Sequence, residues 1–237
     1  MHLHEYQSKR IFAKYGVPIP EGDIATTPTE ARQIAQRLGG PVVVKSQVLV
    51  GGRGKAGGIV KVADRAEAAR EVERLMGMRI RGYEVTAVLL EGIVDVAKEV
   101  YLGVTIDRFE HKPVMIGSTL GGMDVETAAK ERPEAFHRIW LEPEQEVEPY
   151  MGRELAHRMG FKGGQMASLG GVAVRLYKAF KGTDTADGKP LYGIDAYEID
   201  KTSLHGPSGI SYTTERTPEG ATWPTPVHHP VPIEGNK

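Results

Sequence analysis

The chain has 237 residues, enough for one large or two modest domains, and its hydrophobic fraction of 40% is that of an ordinary globular protein. Thirty basic residues against 31 acidic ones leave a net charge of −1, so charge gives no case for nucleic acid or a membrane surface as partner. The absence of cysteine excludes disulfides and thiol chemistry; with no basic-then-apolar leader and no apolar run near the ~20 residues of a membrane span, a cytoplasmic location is expected.

Helix and strand signals alternate through the first three quarters of the chain. Leu3, Tyr6, Ile11, Phe12 and Tyr15 suggest an amphipathic opening helix, stopped by Gly16-Val17-Pro18. Thr27 as N-cap, Pro28 at the first helical position and Glu30 as the reciprocal partner predict a second helix. Its stripe is Ala31, Ile34, Ala35 and Leu38, and Gly39-Gly40 ends it. Pro41–Lys45 and Ile59–Ala63 read as strands on either side of a glycine-rich loop, and Asp64 caps a third helix through Ala68, Val72 and Leu75. Val85–Leu90 reads as a strand. From Glu99 to Asp107 apolar and polar residues alternate strictly, which predicts a half-buried strand with Glu99, Tyr101, Gly103 and Thr105 as its polar row. Pro113–Ser118 is its expected neighbour, and helices follow near Val125–Ala129, Arg153–Met159 and Gln165–Phe180. The expected class is α+β with at least two sheet-containing lobes. Residues 201–237 hold six prolines and four glycines among isolated apolar residues and read as an irregular tail. His228-His229 within it is an isolated pair rather than a metal site.

The loop Gly51–Gly58 has five glycines and two cations, Arg53 and Lys55, in eight residues. Such a backbone can turn amide groups toward phosphate oxygens. Gly52-Arg53-Gly54-Lys55-Ala56-Gly57 matches the dinucleotide pattern, but a helix should follow and a β-branched run follows instead. No Gly-Lys-Ser/Thr supports a Walker loop, and no His-Arg-Asp or Asp-Phe-Gly supports a protein kinase. What remains is a hairpin lid over a phosphate, with a flexible surface loop as the alternative. Lys45, on the strand entering it, is costly within a valine run unless a counter-charge meets it, and a nucleotide phosphate would do so; the alternative is a lysine on the solvent face of an edge strand. Downstream, Leu89-Leu90-Glu91-Gly92-Ile93-Val94 leads to Glu99 on the next strand. Such an interlobe link can read an adenine edge through its backbone and hold a ribose through a carboxylate.

With these residues assembled, the sequence resembles the β subunit of succinyl-CoA synthetase over residues 1–184. The resemblance is carried by His4-Glu5-Tyr6-Gln7, Gly16-Val17-Pro18, Val44-Lys45-Ser46-Gln47-Val48 running into Gly51–Gly58, and Ala97-Lys98-Glu99-Val100-Tyr101-Leu102-Gly103. Asp107-Arg108, Gly121-Gly122-Met123-Asp124 and Glu131-Arg132-Pro133-Glu134-Ala135 extend it. It implies an ATP-grasp fold, two α+β lobes clamping a nucleotide, over residues 1–200. It implies that Lys45, Gly52, Arg53 and Gly54 hold the phosphates of ATP or GTP. Glu91 and the backbone of Val94 would meet ribose and base, with Glu99 also at the nucleotide. The implied reaction joins succinate and CoA, coupled to a nucleoside triphosphate and Mg²⁺, through a phosphohistidine on a separate α subunit, as in the tricarboxylic acid cycle. None of this chain's own histidines is then needed as nucleophile.

The sequence departs from the family pattern in places. Leu49 replaces a histidine before the loop, and Leu120 a glutamate before Gly121-Gly122. The family's Glu-Ile-Asn-Pro strand, with its metal-binding asparagine, is missing, as though Asp184 ran directly into Thr185. Asp195 is then the remaining Mg²⁺ candidate. The family's C-terminal domain has no counterpart, so a truncated or altered β chain is expected. The alternatives are a β chain for another dicarboxylate such as malate, or a non-catalytic nucleotide-binding remnant.

Overall fold

A computed structural model describes residues 3–107, 109–121 and 125–183, with two further strands at 197–200 and 210–212. The first lobe begins with α1 (Glu5–Lys14), β1 (Gly22–Ala25), α2 (Pro28–Leu38), β2 (Val42–Ser46), β3 (Ile59–Val62) and α3 (Arg65–Leu75). The hairpin β4 (Arg79–Ile80) and β5 (Tyr83–Glu84) and the strand β6 (Val88–Gly92) complete it. An antiparallel sheet orders these strands β1-β6-β2-β3. The helix signals hold: Thr27 Oγ1 accepts from Glu30 N at 3.2 Å while Glu30 Oε2 accepts from Thr27 N at 3.2 Å. Gly39 closes α2 at φ +72°, which favours glycine. Asp64 Oδ1 accepts from the amides of Ala66 and Glu67 and caps α3.

Strand alternation decides what each face of this sheet does. Val42, Val44, Val88 and Leu90 point to one side, where Ala31, Ile34 and Ala35 of α2 and Ala68, Val72 and Leu75 of α3 bury them. Lys45 and Glu91 therefore fall on the opposite side. The register pairs Val43 with Glu91 and Lys45 with Leu89, which makes Lys45 and Glu91 diagonal neighbours across the pair.

The second lobe comprises β7 (Val96–Asp107), β8 (Lys112–Ser118), α4 (Val125–Glu131), a 3₁₀ turn (Pro133–Ala135), β9 (Phe136–Trp140), α5 (Pro149–Arg158) and α6 (Gly163–Gly182). Strands β10 (Tyr197–Asp200) and β11 (Ile210–Tyr212) extend the sheet to the order β11-β10-β7-β8-β9. Strand β11 lies in the stretch expected to be irregular, and β9 was not foreseen. The expected polar row of β7 is buried at Tyr101 and Gly103. Val100, Leu102 and Val104 face α5 and α6, while Tyr101 packs with Val114, Ile116, Ala128, Ala129 and Phe136 on the other side. Both faces of the strand's middle are covered because α4 and Phe136 close the side that alternation marked as wet.

Helices α5 and α6 meet at two glycines. A methyl group added at Gly152 would stand 2.1 Å from the Gly170 carbonyl oxygen, so no side chain fits without parting the helices. Gly152→Ala is expected to lower stability by about 1–3 kcal/mol, the cost of an overpacked core contact. Urea denaturation checks this, and an unchanged midpoint would show that the crossing is loose.

Candidate functional site

The face of the first sheet that carries Lys45 and Glu91 is covered by α1. The residues α1 buries are Glu5, Ser8, Lys9 and Phe12. Their i, i+3, i+4, i+7 spacing is that of a helix stripe, but it is mostly polar. Three side chains from other elements meet Glu5 and Lys9: Lys45 from β2, Arg53 from the glycine loop and Glu91 from β6. All five are between 1% and 7% exposed.

The contacts form one connected unit. Glu5 Oε1 lies 3.0 Å from Lys9 Nζ and 3.3 Å from Lys45 Nζ, and Glu5 Oε2 lies 2.8 Å from Arg53 Nη1. Glu91 Oε2 lies 3.0 Å from Lys45 Nζ, and Glu91 Oε1 accepts a hydrogen bond from Lys9 Nζ. The Arg53–Glu5 contact is electrostatic rather than an aligned hydrogen bond, since Glu5 Oε2 accepts none, while Arg53 Nη1 donates to the Ser46 carbonyl at 3.0 Å. Burial alone would raise the Glu5 pKa; Lys45, Lys9 and Arg53 outweigh it and hold the carboxyl far below the usual carboxylate range. Burial is also the largest influence on Lys9 and pulls its pKa down, against the opposing carboxylates of Glu5 and Glu91. His4, at the helix start, is lowered by burial and then by Arg53.

Local structure fixes this geometry. Gln47 Oε1 accepts from the Tyr6 amide at 3.2 Å and Gln47 Nε2 donates to the Lys45 carbonyl at 3.0 Å, which ties the start of α1 to the end of β2. The glycine loop is folded on itself: the amides of Ala56, Gly57 and Gly58 donate to the carbonyls of Gly52, Gly54 and Arg53. Ser46 N in turn donates to Gly58 O at 2.8 Å, so the strand end closes the loop's base. Gly52 (φ +78°) and Gly57 (φ +74°) supply the two left-handed residues that this path requires.

The structure thus brings Lys45, Arg53 and Glu91 together, with Gly52 and Gly54 on the loop beside them. Lys45 has counter-charges within the chain, in Glu5 and Glu91, where the sequence alone pointed to a phosphate. Glu91, expected at a ribose, has its carboxylate in the buried unit. Val94 is half-buried in the link between β6 and β7, and Glu99 is half-buried on β7, outside the five-charge unit. Asp195 lies outside the described residues. Among the described residues no group of three or more histidines and carboxylates could hold a metal ion. No described helix is long and apolar enough to cross a membrane. Sequence reasoning missed Glu5 and Lys9, although a Glu-Lys pair one helical turn apart in an otherwise amphipathic helix was the available signal.

Because the folded state holds Glu5 ionised below its unfolded pKa near 4.5, the stability it contributes is present above that pH and is lost as pH falls below about 4.5. Glu5→Gln leaves three buried cations facing one carboxylate and is expected to cost about 3–5 kcal/mol at neutral pH. It should also flatten the acid limb of the stability curve. Chemical denaturation of both proteins between pH 3 and 7 checks this, and parallel curves would exclude Glu5 as the charge that matters.

The ATP-grasp domain family matches residues 2–187. The β subunit of the GDP-forming succinate–CoA ligase of Thermus thermophilus is 47% identical over 187 residues, 78% of this chain and 49% of that protein. The ADP-forming succinate–CoA ligase subunit β 1 of Archaeoglobus fulgidus is 44% identical over 176 residues, 74% of this chain and 46% of that one. The chain spans about half the length of these relatives. Among solved structures, PH1788 from Pyrococcus horikoshii superposes with a TM-score of 0.67 at 18% identity, covering 90% of this chain and 88% of that one. ACD1 of Ca. Korarchaeum cryptofilum, determined in complex with coenzyme A, gives 0.66 at 15% identity, covering 90% and 91%; at such identities the likeness is one of fold. A glycine hairpin rooted on Lys45 and Arg53, two α+β lobes and a family match over most of the described residues lead to one assignment: the chain belongs to the ATP-grasp family.

Proposed function

We propose that this chain is the nucleotide-grasping part of a succinate–CoA ligase β subunit, which exchanges a phosphoryl group between ATP or GTP and a histidine of a separate α subunit. The observation that carries the reading is the glycine hairpin rooted on two buried cations, Lys45 and Arg53, in a chain 47% identical to such a subunit. In this reading the Gly52-Arg53-Gly54 segment and Lys45 hold the phosphates, while the Val94 backbone and Glu99 meet the nucleoside. Glu91 is assigned differently. A ribose hydroxyl would have to displace a buried ammonium to reach its carboxylate, so Glu91 acts as a positioning residue that holds Lys45. Phosphoryl transfer asks a protein mainly for alignment and charge neutralisation, and a fixed pair of cations under a closed loop supplies both. Mg²⁺ would arrive with the nucleotide, neutralising phosphate charge when bound, with Asp195 its candidate protein ligand. Succinate and CoA are the proposed co-substrates, and the α subunit the proposed partner and bearer of the phosphohistidine. The proposed setting is the cytoplasm and the tricarboxylic acid cycle.

Titration calorimetry with ATP and GTP in magnesium buffer tests the site. The wild-type chain should bind, and Lys45→Ala should lose about tenfold or more in affinity, as for removal of one charge-assisted contact; equal affinities would remove Lys45 from the site. Labelled phosphoryl transfer from γ-labelled nucleotide to an added cognate α subunit tests the chemistry. Intact binding with no transfer would leave a nucleotide-binding module without turnover.

A further inference from the structure

The hairpin β4–β5 plays no part in the five-charge unit, yet it clamps the glycine loop at both ends. At one end Ile80, which is buried, packs on Gly58: a methyl group added there would stand 2.6 Å from Ile80 Cδ1. At the other end the guanidinium of Arg81 lies over Gly52, where an added methyl would stand 3.0 Å from Arg81 Nη2. The base of the hairpin is tied by Gly77 N to Val85 O and Val85 N to Met78 O, so this placement is held from both sides.

Two features set Arg81 apart from Arg53 and Arg74 at the loop; Lys55, on the loop itself, is exposed as well but is carried by the loop rather than by a separate element. Arg53 is committed to Glu5 and Ser46, and Arg74, which donates to the Gly57 carbonyl, is paired with Glu71 at 2.7 Å. Arg81 is exposed and, among the described residues, has no carboxylate within ion-pair distance. Its backbone is also in the left-handed region, at φ +48°, followed by Gly82 at φ +87°. A two-residue hairpin turn with both φ values positive is the normal setting for Asn-Gly; arginine in the first position is a local cost that turn chemistry does not explain. An unpaired guanidinium held at a strained turn over a glycine is a device for placing positive charge where the loop backbone can be approached closely.

We propose that Arg81 is a phosphate-binding residue, whose guanidinium donates to polyphosphate oxygens of a nucleotide seated on the Gly52–Gly54 segment. This rests on the nucleotide reading above and adds to it a cation supplied by a different element, the β4–β5 turn. A planar guanidinium can bond two phosphate oxygens at once, which suits a group that must meet a mobile, multiply charged ligand at the surface.

The test is Arg81→Asn in the full chain. Asparagine accepts the left-handed backbone, so the variant should unfold at the same or a higher midpoint, while the cation is gone. Binding of ATP and ADP in magnesium buffer should weaken about tenfold and adenosine binding should change less than twofold; Arg81→Lys should keep part of the lost affinity. Unchanged ATP affinity in Arg81→Asn would overturn the proposal, as would an equal loss for adenosine, which would mark a structural effect. If the wild-type chain binds neither ATP nor ADP, the nucleotide reading itself fails and this inference falls with it; if it does bind, the Arg81 variants judge this inference alone.

Discussion

The Glu5 carboxylate, enclosed by Lys9, Lys45 and Arg53, is the contact on which the rest of the first lobe depends. Taking any one of these groups out of water alone costs several kcal/mol. The set is tolerable only as a unit, because each charge is the solvation shell of the others. That makes it a poor source of net stability but a strict source of geometry. Four elements contribute to it: α1, β2, β6 and the glycine loop. Each must arrive at one place for the charges to balance, so the loop is not an independent flap but the fourth side of an ionic box.

Helix α1 extends this constraint beyond the first sheet. Glu5 and Lys9 face β2 and β6, while Phe12 joins the core built from β7, α5 and α6, and the Tyr15 ring packs against Gly182 at the end of α6. Glu5 and Phe12 are seven residues apart, roughly 10 Å along a helix. A single short rod therefore joins the ionic box of one lobe to the apolar core of the other. Its two ends use opposite physics, charge satisfaction and hydrophobic burial, so neither lobe's core can shift against α1 without a cost at once. For a fold whose lobes clamp a ligand between them, this is a direct mechanical path from the second core to the root of the glycine loop.

Much of this was legible in the sequence where the signal is local. Thr27-Pro28-x-Glu30 and Asp64 announced their helices because capping is a contact between near neighbours. The glycine loop was recognisable as a hairpin because β-branched runs flank it on both sides. Strand β7 shows where local reading fails: its alternation is real, but Tyr101 and Gly103 are buried by α4 and Phe136, which no periodicity within β7 could report. The same holds for α1, whose buried stripe is charged. A pattern search for apolar residues finds Phe12 and overlooks Glu5 and Lys9, since their burial is licensed by partners 40 and more residues away. Arg81 was overlooked for a similar reason, because its meaning lies in its distance from Gly52 and not in its neighbours.

The lysine on β2 carries the most general point. A charged residue in a valine run requires a counter-charge, and that inference was sound; what it could not supply was the identity of the counter-charge. The difference changes the chemistry. A lysine neutralised only by its ligand is costly until that ligand binds, so binding and folding would be coupled. A lysine neutralised by Glu5 and Glu91 is present, charged and oriented beforehand. Counted over the five residues, three cations face two carboxylates, so the unit still presents positive potential toward an anion. Under the proposed function, a site preorganised in this way would spend little of its binding energy on ordering itself, and more would remain for holding charge on a transferring phosphoryl group. In the same proposal the exposed cations at the loop would matter for a different reason: they would meet the ligand in water, where their contribution is screened and adjustable, while the buried ones would fix where it stops.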